Sequence, residues 1–481
     1  MKEACGVFGM YAPGQPVANL TFDGIYALQH RGQESAGMAV SDGNTVTVVK
    51  DMGLVASVFD ERTLSGLQGH LAIGHTRYST HGASDWAGAQ PVYRPVGRAG
   101  FALGHNGNLT NTTELAEKAG MFPGTFATDS DVVAELLAAS FPETEDLAGA
   151  LQAVLPIAEG AFSFVLMDSQ RLYGVRDPYG LRPLCLGRLG TEEAPEGWVL
   201  ASETPALSVI GATFVREIDP GELVVIDGEG VRSLTIPWLK EVEPRLCIFE
   251  FAYIARPDSV LFGREVHETR CRMGEILAAQ APAEADLVMG VPESGVPAAE
   301  GFARASGIPY GQGLVKNRYI GRTFIAPDQK ARGDAVRRKL NPLHETIAGK
   351  RLVVVDDSIV RGTTQRSVVR MLREAGAIEV HLRISSPPWR WPCFYGIDTP
   401  STDELLAANN TVEEIREILG VDSLAYISVE NLKQAIGQKD GFCDACFTGD
   451  YPTAVPAAPT VTPIVLTPRP AEAYQAVLPG V

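Results

Sequence analysis

The chain has 481 residues, 45% hydrophobic and 21% charged, the balance of a soluble globular protein of roughly two to four domains. A formal net charge of −17 argues against non-specific nucleic-acid binding, though not against a local basic pocket for a phosphorylated substrate. There is no apolar run of about 18 residues or more and no basic-then-apolar start of a secretory signal, so neither a membrane span nor export is expected.

From the amino end, the first signal is "MKEACGVFG", which puts Cys5 ahead of a glycine and an apolar run. Such a cysteine is either a core residue or, once residues 1–4 are removed, the first residue of the mature chain. To about residue 235, short apolar runs bounded by glycine read as strands: "CGVFGMYA", "HLAIGHTRYS", "GFALGHNGNL", "GAFSFVLMDS" and "WVLASE". Between them, "TFDGIYALQHRG" and "DVVAELLAASF" carry apolar residues at helical spacing. This irregular order predicts packed layers of sheet and helix, an α+β unit over residues 5–235.

A second regime begins near Leu246. "ADLVMGVPESGVPAAEGFARASG" reads as strand, turn and helix. "KRLVVVDDSIVRGTTQRSVVRMLREAGAIEVHLRISS" repeats that order and adds a strand. The unbroken apolar run "RLVVVD" is that of a parallel strand buried on both faces. A doubly wound α/β domain is predicted over residues 246–452, with ligands beyond the carboxyl ends of its strands. After Pro452 the Pro/Ala/Thr-rich segment 453–481 lacks periodicity and is expected to be a mobile tail.

"VVVDDSIVRGTT" is the most informative stretch. A buried strand delivers Asp356 and Asp357, and Ser358, Arg361, Gly362, Thr363 and Thr364 follow just before a helix. Backbone N–H groups at a helix start attract anions, hydroxyls add donors, and the acids suit ribose hydroxyls or hydrated Mg²⁺. The pattern resembles the phosphoribosyl-diphosphate (PRPP) signature of the type I phosphoribosyltransferases. The resemblance implies that "VPESGVPAA" forms the diphosphate loop, with a metal contact near Ser294, and that "LVKNRYIGRTFI" supplies a basic flap through Lys316, Arg318 and Arg322.

Five pieces of the first half, "CGVFG", "HRGQESAG", "GHTRYSTHG", "HNGNL" and "ATDSDV", form an ordered set. Together they resemble the glutaminase domain of the class II, N-terminal-nucleophile amidotransferases. Amide hydrolysis needs a nucleophile, a base and an oxyanion site. As first residue, Cys5 would supply both thiol and base, since an α-amino group titrates near about 7.7–8.0. In an uncut chain the Cys5 nitrogen is an amide and cannot act as that base, so "MKEA" reads as a propeptide. The resemblance gives Asn106 and the Gly107 N–H the oxyanion role, Arg77 the glutamine α-carboxylate and Asp129 its α-amino group. His30, His75, His81 and His105 are then structural. One departure is Gly88 before "AQPV", where the family usually has asparagine.

Of the seven cysteines, an odd number spread over a large chain and typical of a cytoplasmic protein, Cys443 and Cys446 form a C-x-x-C pair. By spacing, Cys247, Cys393, Cys443 and Cys446 could hold zinc or an iron–sulfur cluster, or the distant two could be core residues. "CIFEFAYIARPDS", "PCFYGID" and "CDACFTGDYP" resemble the branch of the glutamine PRPP amidotransferases that carries a [4Fe–4S] cluster. Cys185 and Cys271 have no partner pattern. The combined resemblance implies a glycosyltransferase with glutaminase activity: glutamine, PRPP and water give 5-phosphoribosylamine, glutamate and pyrophosphate, the entry to purine synthesis. It also implies Mg²⁺, feedback by purine nucleotides and a homo-oligomer. A glutaminase fused to a sugar-phosphate isomerase would lack "VVVDDSIVRGTT"; a PRPP-sensing regulator would need no Cys5 constellation.

Overall fold

The computed structural model describes residues 5–455 except 79–84, 98, 123, 145, 239–240, 318–337 and 400. The propeptide, His81, Arg318, Arg322 and the tail from residue 456 lie outside the described residues. Thr453 does not: its N–H donates to the Tyr395 hydroxyl at 3.1 Å.

In the first half two antiparallel sheets stack face to face. The seven-stranded sheet runs Thr213–Glu217, Cys185–Gly190, Pro195–Ala201, Gly6–Tyr11, Leu71–Arg77, Ser35–Ser41, Val46–Met52 in spatial order. The six-stranded sheet runs Gly230–Thr235, Glu222–Asp227, Leu172–Arg176, Gly160–Met167, Phe101–Leu109, Val92–Arg94. Val7, Ile73, Ala102, Val165, Leu200 and Val224 fill the space between them. Helix Val17–Ala27 covers the outside of the first sheet. Helices Asp129–Thr144 and Leu147–Val154 cover the outside of the second. The result is the layered order helix, sheet, sheet, helix, a particular form of the packed sheet and helix layers expected from the glycine-bounded runs.

The second half is built on four parallel strands in the order Leu287–Gly290, Arg351–Asp356, Glu379–Ile384, Ser423–Tyr426. Alternation along Arg351–Asp356 explains its unbroken apolar run. Val353 and Val355 face a core with Leu277 and Phe302, from helices Val266–Gln280 and Val296–Ser306. Leu352 and Val354 face one with Leu372 and Ile415, from helices Thr363–Glu374 and Val412–Leu419. Both faces are covered, as a doubly wound sheet requires. Among the described residues no helix is long and apolar enough to cross a membrane.

The halves meet through the segment after residue 245. The Arg245 N–H donates to the Tyr179 carbonyl at 2.7 Å and the Cys247 N–H to the Leu181 carbonyl at 3.1 Å. Leu246–Cys247 pairs in parallel with Phe442–Cys443. A π-helical turn, Glu250–Ile254, follows.

Candidate active sites

Cys5 enters the strand Gly6–Tyr11, whose register sets Gly6 against Thr76 and so puts Cys5 beside Arg77 at the end of the ladder. The thiol is buried and donates to the Tyr78 carbonyl at 3.6 Å. Burial raises its pKa; the Tyr78 hydrogen bond and the charge of Arg77 work against that rise, and the charge of Asp129 adds to it. A protonated thiol with cation and carboxylate in electrostatic reach needs a base before it can attack.

Two features mark the space beside it as a ligand site. Both polar atoms of the buried Asn106 amide lack a hydrogen-bond partner among the described residues, as does one terminal nitrogen of the buried Arg77 guanidinium. A buried amide left unpaired costs about 1–3 kcal/mol, a cost a bound substrate would remove. Gly107, next on the strand, has φ +150, and a side chain there would strike the Ala161 carbonyl. That backbone accepts only glycine.

Asp129 opens helix Asp129–Thr144 and accepts from the N–H groups of Leu109 at 2.9 Å and Ser130 at 2.7 Å. Burial pushes its carboxyl up, but nearby His105 and those two N–H donors outweigh it and hold the pKa at about 2. It is therefore ionised at any working pH and suited to an ammonium group. The described histidines of this region are tied into the surrounding framework: His75 bonds to the His105 carbonyl at 2.9 Å and is kept neutral by burial, its pKa pushed down to about 3. His30 bonds to Glu203 at 2.7 Å, and His105 bonds to Ser130 at 3.1 Å.

Gly88 also has a physical reason. A Cβ built there would lie 2.7 Å from the guanidinium carbon of Arg77, so the cation rests directly on glycine backbone. Gly88→Ala is expected to displace it and weaken about tenfold the hold on an anionic group of a bound ligand, the scale of one weakened charge-assisted bond. The KM of the ligand bound beside Cys5, measured in steady-state kinetics of wild type and variant, checks this.

In the second half, Asp356 ends its strand, and Asp356, Asp357 and Ser358 are buried. Gly362, at φ +72, turns the chain into helix Thr363–Glu374, whose first residues are Thr363 and Thr364. Asp356 accepts from the Asp357 N–H at 3.0 Å and from Gln365 at 3.1 Å, and Ser358 donates to Asp357. Burial, then the charge of Asp357, drives the Asp356 carboxyl well above the carboxylate range. Two adjacent buried acids are poorly tolerated without a cation. The Ser294 loop abuts them, the Val291 N–H donating to the Val355 carbonyl at 2.9 Å and Gly295 lying against Asp356 backbone. Lys316 pairs with Glu293 of the same loop at 3.0 Å. Arg361 is turned outward onto Glu404.

Several residues of the site were not singled out from sequence. Arg31, of the quoted "HRGQESAG", is fully buried; its Nε donates to the Cys5 carbonyl at 3.1 Å, and its terminal nitrogens pair with Glu203 and, at 2.7 Å, with Glu250. Glu250 also pairs with Arg182 at 3.2 Å, and Arg182 donates to the Tyr395 carbonyl at 3.0 and 2.7 Å. Asn108 donates to the Phe394 carbonyl at 2.9 Å, and Gly396 packs against the Gly107 backbone. One turn carries Glu250 and also Tyr253, whose phenol is held protonated by burial and by the charges of Asp357 and Asp356. That single π-helical turn therefore reaches toward both sites.

Cys247, Cys393, Cys443 and Cys446 belong to one buried core with Phe249, Trp389 and Phe447. All four are free thiols. Burial, then mutual repulsion with Cys247 and Cys393, drives the Cys446 thiol well up. No three of these sulfurs, all described, lie within 4.8 Å of one another. A single tetrahedral zinc with Zn–S near 2.3 Å would bring them to about 3.8 Å.

The fold and the two sites define a glutamine amidotransferase joined to a phosphoribosyltransferase. Domain models agree, a glutamine amidotransferase domain matching residues 60–226 and a phosphoribosyl transferase domain residues 272–385. The amidophosphoribosyltransferase of Mycobacterium tuberculosis is 54% identical over 95% of this chain and 87% of its own length, and that of Bacillus subtilis is 45% identical over 95% of each. The chain belongs to the amidophosphoribosyltransferase family. The solved structure of the B. subtilis glutamine PRPP amidotransferase in complex with ADP and GMP superposes with a TM-score of 0.86, at 44% identity, covering 94% of this chain and 98% of that one.

Proposed function

We propose that residues 5–235 hydrolyse glutamine at Cys5 and that residues 246–452 add the released ammonia to PRPP, giving 5-phosphoribosylamine, glutamate and pyrophosphate. The observation that supports this is the turn Glu250–Ile254, whose Glu250 pairs with Arg31 behind Cys5 and whose Tyr253 feels the charges of Asp357 and Asp356. Cys5 attacks the amide carbon of glutamine. The oxyanion takes hydrogen bonds from the Asn106 amide and the Gly107 N–H, ammonia leaves, and water releases glutamate from the thioester. Arg77 and Asp129 hold the α-carboxylate and α-ammonium of the substrate. The α-amine of a mature Cys5, freed by loss of residues 1–4, is the base.

At the second site Ser358, Gly362, Thr363 and Thr364 cradle the 5-phosphate of PRPP, and Asp356 and Asp357 take its ribose side. Mg²⁺ would be held around Asp356, Asp357 and Ser294 and would neutralise charge on the departing pyrophosphate. Lys316, Arg322 and Arg361 are proposed to add cations to the same substrate, Lys316 and Arg361 after release from Glu293 and Glu404. Ammonia displaces pyrophosphate at C1, and one glutamate and one pyrophosphate should appear per turnover when both substrates are present. A pyrophosphate assay run beside a glutamate assay tests this; pyrophosphate release that never depends on glutamine or ammonia would overturn it.

The four buried thiols, gathered from three chain segments into one apolar core, are a donor set that suits a [4Fe–4S] cluster. Cys247, Cys393, Cys443 and Cys446 would ligate it, and it would supply a covalent tie between three chain segments. Anaerobic purification should yield about four irons per chain with broad visible absorbance, lost together in Cys443→Ser. Intact mass on the same sample reports whether residues 1–4 are gone. Purine nucleotides are proposed as feedback ligands, supported by the relative solved with ADP and GMP.

A further inference from the structure

We propose that His267, Cys271 and Glu300 form a binding site for a thiophilic divalent cation of the zinc class, separate from both active sites and from the four-cysteine core. His267 and Cys271 stand four residues apart on helix Val266–Gln280, on one face. Glu300 comes from the neighbouring helix Val296–Ser306. The His267 Nε2 lies 3.7 Å from the Cys271 Sγ and 3.9 Å from the Glu300 Oε2, and all three donor atoms fall within 4.8 Å of one another. A tetrahedral ion with a Zn–S bond of about 2.3 Å and Zn–N and Zn–O bonds of about 2.0 Å would set sulfur and nitrogen about 3.5 Å apart and nitrogen and oxygen about 3.3 Å apart. Closing onto an ion therefore asks for about 0.2 Å between sulfur and nitrogen and about 0.6 Å between nitrogen and oxygen, with the carboxylate drawn in toward the sulfur, movements that side-chain rotation supplies.

The frame that carries these ligands is rigid. A Cβ on Gly274 would strike the Ala298 carbonyl, and one on Gly301 would strike the Cys271 carbonyl, so the two helix backbones touch at both crossings. Ligands on packed helices keep their geometry better than ligands on loops. Thiolate, imidazole and carboxylate together suit zinc rather than magnesium or calcium, which prefer all-oxygen sites. His267 and Glu300 are each 43% exposed, so an ion can enter and keep water in a fourth position. The surrounding charge favours a cation. Glu268, Glu275 and Glu300 act on the thiol against one cation, Arg304, and with Arg304 paired to Glu275 at 3.1 Å and Arg272 to Glu268 at 4.0 Å the charge left over is that of Glu300 itself. Helix Val296–Ser306 starts directly after the Ser294–Gly295 loop, so an ion here would brace the helix that leads out of the second active site.

The test uses the iron-loaded, full-length enzyme dialysed against Zn²⁺ at graded free concentrations, with zinc and iron measured on the same samples. Wild type should bind one more zinc per chain than Cys271→Ala, at equal iron content. His267→Gln and Glu300→Gln should weaken that one equivalent at least tenfold. Glu300 is a surface residue, so its variant keeps the comparison valid if Cys271→Ala fails to fold. Equal zinc stoichiometry and affinity in wild type and Glu300→Gln would overturn the site.

Discussion

Replacing Cys5 with alanine is expected to abolish glutamine-dependent product formation, by about ten-thousand-fold or more, while ammonia-dependent formation continues. The magnitude is that of removing the nucleophile from a set of groups that act as a unit. The selectivity follows from the architecture: the PRPP loop at Asp356–Thr364 belongs to a different sheet and shares no strand with Cys5. Alanine removes one buried sulfur and leaves the Gly6–Tyr11 ladder intact, so the fold should persist. The pH profile offers a second reading of the same chemistry. Burial pushes the Cys5 thiol up, and its proton already points at a carbonyl, so it is not ionised in the resting site. A neutral base must take that proton. With the α-amine in that role, glutamine-dependent kcat/KM should rise with pH through about 7.7–8.0. A sample whose intact mass retains residues 1–4 lacks that amine and should make product from ammonia alone. Glutaminase activity at the wild-type level in Cys5→Ala would remove Cys5 from the mechanism altogether.

Local sequence carried much of this molecule. "RLVVVD" reads as a doubly covered strand because helices pack on both of its faces. "DDSIVRGTT" reads as a phosphate loop because a turn that needs a positive φ at Gly362 and a helix start at Thr363 leave few alternatives. Asn106, expected from its motif to line an oxyanion site, is buried with both amide atoms unpartnered among the described residues, which is compatible with that role. The charges behind the site were not legible. Arg31 and Glu250 are 219 residues apart in sequence, and only the meeting of the two halves brings them together. "EFAYI" has no local signature of a π-helical turn; the buried Arg270 donates to the carbonyls of Phe251 within it and of Ala255 just after it, at 2.8 Å each. Gly88 looked like a departure from pattern until the guanidinium lying on it became visible.

Glu250→Ala is expected to cost about 3–5 kcal/mol of stability, the usual result of stripping one partner from a buried ion pair. Glu250 sits between two fully buried guanidiniums, Arg31 and Arg182. Arg31 would keep Glu203, but Arg182 would be left with the Tyr395 carbonyl alone. An uncompensated buried cation at that position has two routes to relief, and both disturb the glutamine site. If Arg182 shifts toward water it releases the Phe394–Gly396 loop, which rests on Asn108 and Gly107. If Arg31 turns toward the vacated space it withdraws its hydrogen bond from the Cys5 carbonyl. Glutamine-dependent kcat should therefore fall more than ammonia-dependent kcat in the folded fraction. Glu250→Gln, which keeps the shape and one acceptor but not the charge, should lie between wild type and alanine on both measures. Urea denaturation gives the stability, and the ratio of the two rates separates a positioning role from a merely structural one. A purely structural Glu250 would lower both rates equally, in proportion to the folded fraction.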